Sequence, residues 1–447
     1  MHGSPPAAHC GSILHFLGDP GPQGDPAACE YWERGALIVA DGRIQAVGPA
    51  EALLGGAGSG LAIIDHGARL LVPGFIDTHI HYPQTDMIAA DGRNLLDWLE
   101  RNTFPAEARF GDPVHARAVA EFFLDELLRN GTTTAQVLGS VHRCSAEQFF
   151  EAAAARGLRM IAGKVLMDRN SPANLRDTAE SGERDTRELI ERWHGHGRLH
   201  YAITPRFAPT SSREQLASAG RLAREFPDVF IHSHLAENVE EVRWVGELFP
   251  ERRSYLDVYD HYGLLRERAT YAHCIYLDER DRRRLAASGA GAAFSPSSNL
   301  FLGSGLFDLG LSDAAGMRYA LATDVGGGSS FSMLRTMGAA HTVAQMRGHY
   351  LSPLRAFYLA SLAGARLLGL SDRIGRFAPG MEADFVVLDP DATPLLARRM
   401  AHTPKLADRL LLWMILGDDR AIAATYVLGR MVMGRTVMGA AVTGSMA

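Results

Sequence analysis

Eight strand-like runs alternate with amphipathic helical patterns and are enclosed between two β-rich ends, and histidines and carboxylates recur where those runs finish. These observations predict an α/β chain, a (β/α)8 TIM-type barrel with a small β-sandwich domain built from both termini. Residues 1–72 read as the N-terminal part of the sandwich, 73–374 as the barrel and 375–447 as the C-terminal part.

The N-terminal part carries "GALIVADGRIQAVG" and "LAIIDHGARLLVPG", short apolar runs with Gly turns, and "GGAGSG" (55–60) reads as a flexible loop. The barrel strands are "GFIDTHIH", "TTTAQVLG", "RMIAGKVLM", "LHYAITP", "VFIHSHLA", "ATYAHCI", "GAAFSPS" and "YALATDV". Between them, "PVHARAVAEFFLDELLRNG" predicts a helix with Val119, Phe122, Phe123 and Leu127 on one face and Gly131 as its C-terminal cap. "SPLRAFYLASLAGARLLG" predicts another, with Ser352 as N-cap, Pro353 in the first turn and Gly369 past the end. "ASGAGAAF" (287–294) reads as a turn into a strand, and "GMEADFVVLDP" and "IAATYVLGRMVMGR" return to the β pattern.

Length alone, at 447 residues, suggests about three domains. A net charge of -6 lacks the basic balance of a nucleic-acid binder. Cys10, Cys29, Cys144 and Cys274 are widely spaced with no C-x-x-C pair, which argues for a reducing compartment and against a zinc finger. "MHGSPPAAHCGSILHF" has neither a basic region nor a long apolar one, so no signal peptide is expected. The apolar run "LLLWMILG" is far short of the roughly 20 residues of a membrane span.

In a barrel of this kind, chemistry belongs at the C-terminal ends of the strands. In "PGFIDTHIHYPQTDM", His79 and His81 point the same way because a strand has a period of two. They are either two metal ligands or two core histidines. Further strand ends supply Arg206 and Phe207, then His232, His234 and Glu237, then His273, then Asp324. Neutral imidazole and carboxylate suit zinc or ferrous iron, and a metal lowers the pKa of water from 15.7 to about 7. The resulting hydroxide could attack an electron-poor carbon. Glu237 lies close enough to shuttle its proton, His273 could hold the hydroxide, and Asp324 could ligate the metal and orient the water.

Each residue also has a blander reading. Asp324 before glycines could be a turn aspartate. Glu237 could belong to the solvated start of a helix. One of His232 and His234 could be structural, and His234 is the preferred ligand because Glu237 follows it. "DVGGGSS" lacks the Gly-Lys-Ser/Thr ending of a phosphate loop, and no H-x-E with P-C-x-x-C occurs. Lys164 could bridge two metals. Within a strand, a lysine paired to a carboxylate is the simpler account, so one metal is favoured.

These residues resemble the amidohydrolase superfamily in its single-metal deaminase branch, and more narrowly its guanine deaminases. The resemblance is carried by "PGFIDTHIHYPQTDMIAADGRNLLDWLERNTFPAE", "GKVLMDRNSP", "TPRFAPT", "HSHLAEN", "YAHCIYL", "SNLFLGSGLFDL", "ATDVGGGSSFSMLRTM" and "GRFAPGMEADFVVLD". It implies hydrolytic deamination of guanine to xanthine and ammonia. The implied metal ligands are His79, His81, His234 and Asp324, with zinc as the ion and iron as the alternative. His273 would support the water, Glu237 would move the proton, and Gln84, Arg206 and Phe207 would hold the base. A cytoplasmic homodimer acting on a small purine, without nucleic acid or membrane, is also implied. Where this chain reads "FSPSSN", the family more often has a cysteine and a threonine, which touches only local pocket polarity.

The chemistry of the pocket residues agrees with that implication. Guanine offers acceptors at O6 and N7, for which Arg206 is a rigid donor fork. Gln84 both donates and accepts, and Phe207 can stack on the purine face. Taken singly, the three could instead be a surface salt-bridge arginine, a core ring and a turn residue. A related hydrolase of an aminated triazine, a pterin or another purine is the alternative. A scaffold that keeps the fold without catalysis is the third reading, and it should have lost ligands that are present here.

Overall fold

A computed structural model describes residues 6–55 and 61–434. Most of the "GGAGSG" loop and the end of the last β segment therefore lie outside the described residues. In chain order the strands are β1 (Ala7–Phe16), β2 (Cys29–Ala40), β3 (Arg43–Pro49), β4 (Ala62–Pro73), β5 (Phe75–His81), β6 (Thr132–Leu138), β7 (Arg159–Gly163) and β8 (Val165–Leu166). They continue with β9 (His200–Pro205), β10 (Phe230–Leu235), β11 (Ala269–His273), β12 (Gly291–Phe294), β13 (Arg318–Leu321), β14 (Phe385–Leu388), β15 (Ile422–Val427) and β16 (Arg430–Gly434).

The two ends of the chain form one sheet in the order β16-β15-β14-β4-β1-β2-β3. Its pairs are antiparallel except β1 with β4. Ile13, Leu37, Leu71, Phe385 and Val387 belong to its own apolar core, where the Tyr426 and Phe385 rings stack 4.3 Å apart.

The second sheet runs β13-β12-β11-β10-β9-β7-β6-β5, with β8 also on β9, and all its pairs are parallel. β5 and β6 are buried at every position, as expected where helices cover a parallel sheet. The barrel closes between its first and last strands. Asp324 N donates to His79 O at 3.0 Å, and His81 N donates to Val325 O at 2.9 Å. Asp77 reinforces the seam by accepting from Thr323 N at 3.1 Å and from the Thr323 hydroxyl. Burial pushes the Asp77 carboxyl up to about 7, even though these hydrogen bonds favour its charge.

Three local expectations need revision. Phe122 is 56% exposed, whereas Val119, Phe123 and Leu127 are buried. At 100° per residue, Phe122 falls well to one side of the stripe formed by Ala116, Val119, Ala120, Phe123, Leu124 and Leu127. The single helix expected after Ser352 is two, Pro353–Leu359 and Leu362–Leu367. The break leaves the Ala360 carbonyl free to accept from Ile76 N at 2.9 Å, which anchors the start of β5. The third barrel strand is interrupted at Lys164, whose ammonium donates to Asp177 at 2.6 Å and to Val165 O at 3.2 Å. The caps at Ser352, Gly131 and Gly369 are as expected; both glycines have positive φ, 79° and 63°.

The two units are joined by a buried charge network. Glu382 accepts from Arg159 Nε at 2.9 Å and from Arg198 Nη2 at 2.7 Å, and Arg198 also reaches Asp384. Burial opposes the Glu382 charge, yet the two guanidiniums hold its carboxyl below the ordinary glutamate value of 4.5. Its contribution is therefore complete above that value and is lost as pH falls through the depressed folded value. Glu382→Ala should cost about 3–5 kcal/mol in chemical denaturation at neutral pH, because it leaves the buried Arg159 without a carboxylate and Arg198 with Asp384 alone. The deficit should shrink in acid; a loss below about 1 kcal/mol at neutral pH would contradict this account.

Candidate active site

The strand ends named from the sequence converge on one cavity, whose lining includes His81, Gln84, Arg206, Phe207, His234, Glu237, His273 and Asp324. His79 lies beneath it, fully buried. The Nε2 atom of His81 is 3.2 Å from those of both His79 and His234. Asp324 Oδ1 lies 3.1 Å from His79 Nε2 and 3.4 Å from His81 Nε2. Donors bound to one ion at 2.0–2.1 Å in a tetrahedron stand roughly 3.3 Å apart. The His81 contacts with His79 and His234, and the Asp324 contacts with His79 and His81, have about that spacing.

Their protonation fits a cation as well. Burial, together with the neighbouring histidines, holds the imidazoles of His79, His81 and His234 well below the ordinary histidine range, so they are neutral. His234 Nδ1 donates to Arg206 O at 2.6 Å, which leaves Nε2 with its lone pair. His79 Nδ1 pairs with His232 Nε2 at 2.8 Å. His232 thus supports a neighbour from behind, an arrangement common around metal-binding histidines. Burial raises the Asp324 carboxyl, and a cation at this point would offset that penalty.

Glu237 and His273 complete the mouth of the site. His273 Nε2 is 3.3 Å from Glu237 Oε2 and 3.7 Å from Asp324 Oδ2, while its Nδ1 donates to Asn299 Oδ1 at 2.8 Å. Ser304 Oγ donates to Glu237 Oε1 at 2.7 Å, so one carboxylate oxygen is fixed and the other faces His273. Burial pushes the Glu237 carboxyl up, with the Asp324 charge adding to it and His273 opposing it. A buried carboxyl with a raised pKa suits proton transfer near neutrality. Ala236, His273 and Asp324 have φ of 51°, 73° and 53°, a left-handed region that costs such residues about 1–3 kcal/mol each and marks functional sites.

On the opposite wall, Gln84 and Arg206 both meet Glu107, and Phe207 packs edge-on to Trp244 with centroids 6.2 Å apart. Leu95, Trp98, Leu99 and Leu302 supply apolar surface. Gly326 and Gly327 let the loop after Asp324 approach closely, since a Cβ would lie 2.8 Å from Gln84 O and 2.7 Å from Ser298 Oγ respectively. Lys164 is held by Asp177 and is not among the residues lining this cavity.

The sequence reading assigned no role to Glu107, Asn299 or Ser304. Glu107 ends the segment "PGFIDTHIHYPQTDMIAADGRNLLDWLERNTFPAE", yet nothing in its spacing sets it apart from a surface acid of a short helix.

Comparison with known proteins shows the family. The family model described as Amidohydrolase family matches residues 70–432. The chain is 49% identical over 411 residues to guanine deaminase of Escherichia coli (strain K12), covering 92% of this chain and 94% of that protein. The solved structure of the E. coli enzyme superposes with a TM-score of 0.93 at 47% identity, covering 97% of this chain and 100% of that one. A guanine deaminase from C. acetobutylicum, solved with guanine in its active site, superposes with a TM-score of 0.86 at 26% identity, covering 96% of this chain and 100% of that one. With a parallel barrel closed through His79 and Asp324, and a family match across most of its length, the chain belongs to the amidohydrolase family.

Proposed function

We infer that this protein is a guanine deaminase, which hydrolyses guanine to xanthine and ammonia. The observation that carries the reading is that one cavity holds both the imidazole–carboxylate cluster and a donor wall of Gln84 and Arg206. His79, His81, His234 and Asp324 would hold a single divalent ion, for which we propose zinc. Such an ion supplies Lewis acidity that lowers the pKa of water from 15.7 to about 7.

The chain's own groups do the rest. Arg206 donates to the acceptor edge of the base, Gln84 meets its mixed edge, and Phe207 lies against its face. Water attacks C2, and Glu237 takes up the proton released. Glu237 delivers that proton to the ring nitrogen, then takes the proton of the new C2 hydroxyl and passes it to the amino group, so that ammonia leaves as the C2 carbonyl forms. His273, held by Asn299 and facing both Glu237 and Asp324, keeps the attacking oxygen in line. A 6-amino purine would set a donor against Arg206, and sites of this kind discriminate by up to about 10⁴–10⁵. We further propose a homodimer in the cytoplasm, in keeping with the family resemblance and with the free thiols of Cys10, Cys29, Cys144 and Cys274. Among the described residues, no helix is long and apolar enough to cross a membrane.

Ultraviolet monitoring of guanine, with ammonia measured in parallel and an aminated triazine and a pterin as competitors, tests the assignment. Guanine should be strongly preferred; faster turnover of either competitor would replace this reading with the related-hydrolase one. Purified protein should carry about one divalent ion per chain. A chelator should abolish ammonia release and added zinc should restore it, whereas full activity in metal-free protein would sink the proposed centre. Glu237→Gln should lower kcat by about 10²–10⁴-fold while metal content stays unchanged. A near-normal rate in that variant would remove Glu237 from the proton path.

A further inference from the structure

Glu107 is fully buried on the short helix Phe104–Ala108, and its two oxygens are divided between two residues of the base-binding wall. Oε1 accepts from Gln84 Nε2 at 3.0 Å, and Oε2 accepts from Arg206 Nη1 at 2.6 Å. The Ser140 hydroxyl ties the Glu107 carbonyl down at 3.0 Å. On its other side, Gln84 Oε1 accepts from Gly326 N at 3.1 Å, two residues beyond Asp324.

A carboxylate can only accept, and a backbone N–H can only donate. The two contacts of Gln84 therefore determine which way its amide faces: nitrogen toward Glu107, oxygen toward Gly326. Gln84 keeps one N–H and one lone pair for a ligand. Arg206 likewise commits one N–H and keeps the remainder of its fork. The Glu107 charge also balances Arg206, so the wall is suited to a neutral base rather than to an anion.

We propose that Glu107 is a positioning residue that sets the preference for a 6-oxo over a 6-amino purine, by holding the donors of Arg206 and Gln84 in one orientation. The proposal rests on the guanine deaminase reading and names what enforces its specificity. Without a carboxylate at 107, the Gln84 amide can turn over and the Arg206 fork can rotate. A 6-amino group would then find an acceptor where it now meets donors.

Glu107→Gln tests this. Glutamine keeps the size but offers an amide that can satisfy Arg206 only by presenting N–H to the Gln84 N–H. Kinetics on guanine and on 2,6-diaminopurine should show KM for guanine raised about tenfold or more, with kcat within about threefold. The kcat/KM ratio of guanine to 2,6-diaminopurine should fall about tenfold or more, with metal content unchanged. A purely structural role would lower the active fraction, and hence apparent kcat, while leaving KM and the ratio as they were; that result overturns the proposal. If Glu107→Gln does not fold, Glu107→Asp decides. It keeps the charge beside Arg206 but is one methylene too short to reach both partners, so KM and the ratio should shift in the same direction, and unchanged values overturn the proposal. A wild-type protein that fails to turn over guanine would instead refute the underlying function.

Discussion

The seam that closes the barrel is the constraint on which the site depends. Backbone hydrogen bonds join the end of β5 to the residues after β13, and Asp77 clamps Thr323 across the same gap. This seam sets Asp324 beside His79 and His81, although most of the catalytic unit separates them along the chain. A slip of one residue in this register would turn the imidazoles to the opposite face of the sheet. The pairing of β5 with β6 is irregular, shifted after Phe75 and again after Asp77, in the same stretch that carries His79 and His81.

Such a site is costly to fold. It buries neutral imidazoles whose lone pairs face one another, carboxyls raised by desolvation, and three residues in left-handed backbone. Each group nevertheless has a support from behind. His232 backs His79, the Arg206 carbonyl backs His234, Asn299 backs His273, and Ser304 backs Glu237. Each support occupies one polar atom of the side chain it holds and so fixes the direction of the other.

Charge is balanced locally at the most deeply buried cations of the barrel. Arg206 is matched by Glu107, Lys164 by Asp177, and the Arg159–Arg198 pair by Glu382 and Asp384. In each case a buried cation has its anion within hydrogen-bond reach, which is the condition for burying either one. The Lys164 pair lies where the third strand breaks and is separate from the imidazole cluster, so it belongs to the scaffold.

The strand periods, the rule that chemistry sits at C-terminal strand ends, and the order His79–His81, His234, His273, Asp324 were all legible in the linear text. So were the caps at Ser352, Gly131 and Gly369, because period and capping are local properties. The exposure of Phe122 and the break before Leu362 were not, since the first depends on which helical stripe meets the sheet and the second on a bond from Ile76 to a distant carbonyl. The sequence by itself thus determined the kind of barrel and the atoms able to hold a cation. Only the tertiary structure decided that Asn299 holds His273, that Ser304 holds Glu237 and that Glu107 joins Gln84 to Arg206, because a hydrogen bond between residues far apart in the chain leaves no periodic trace in either segment.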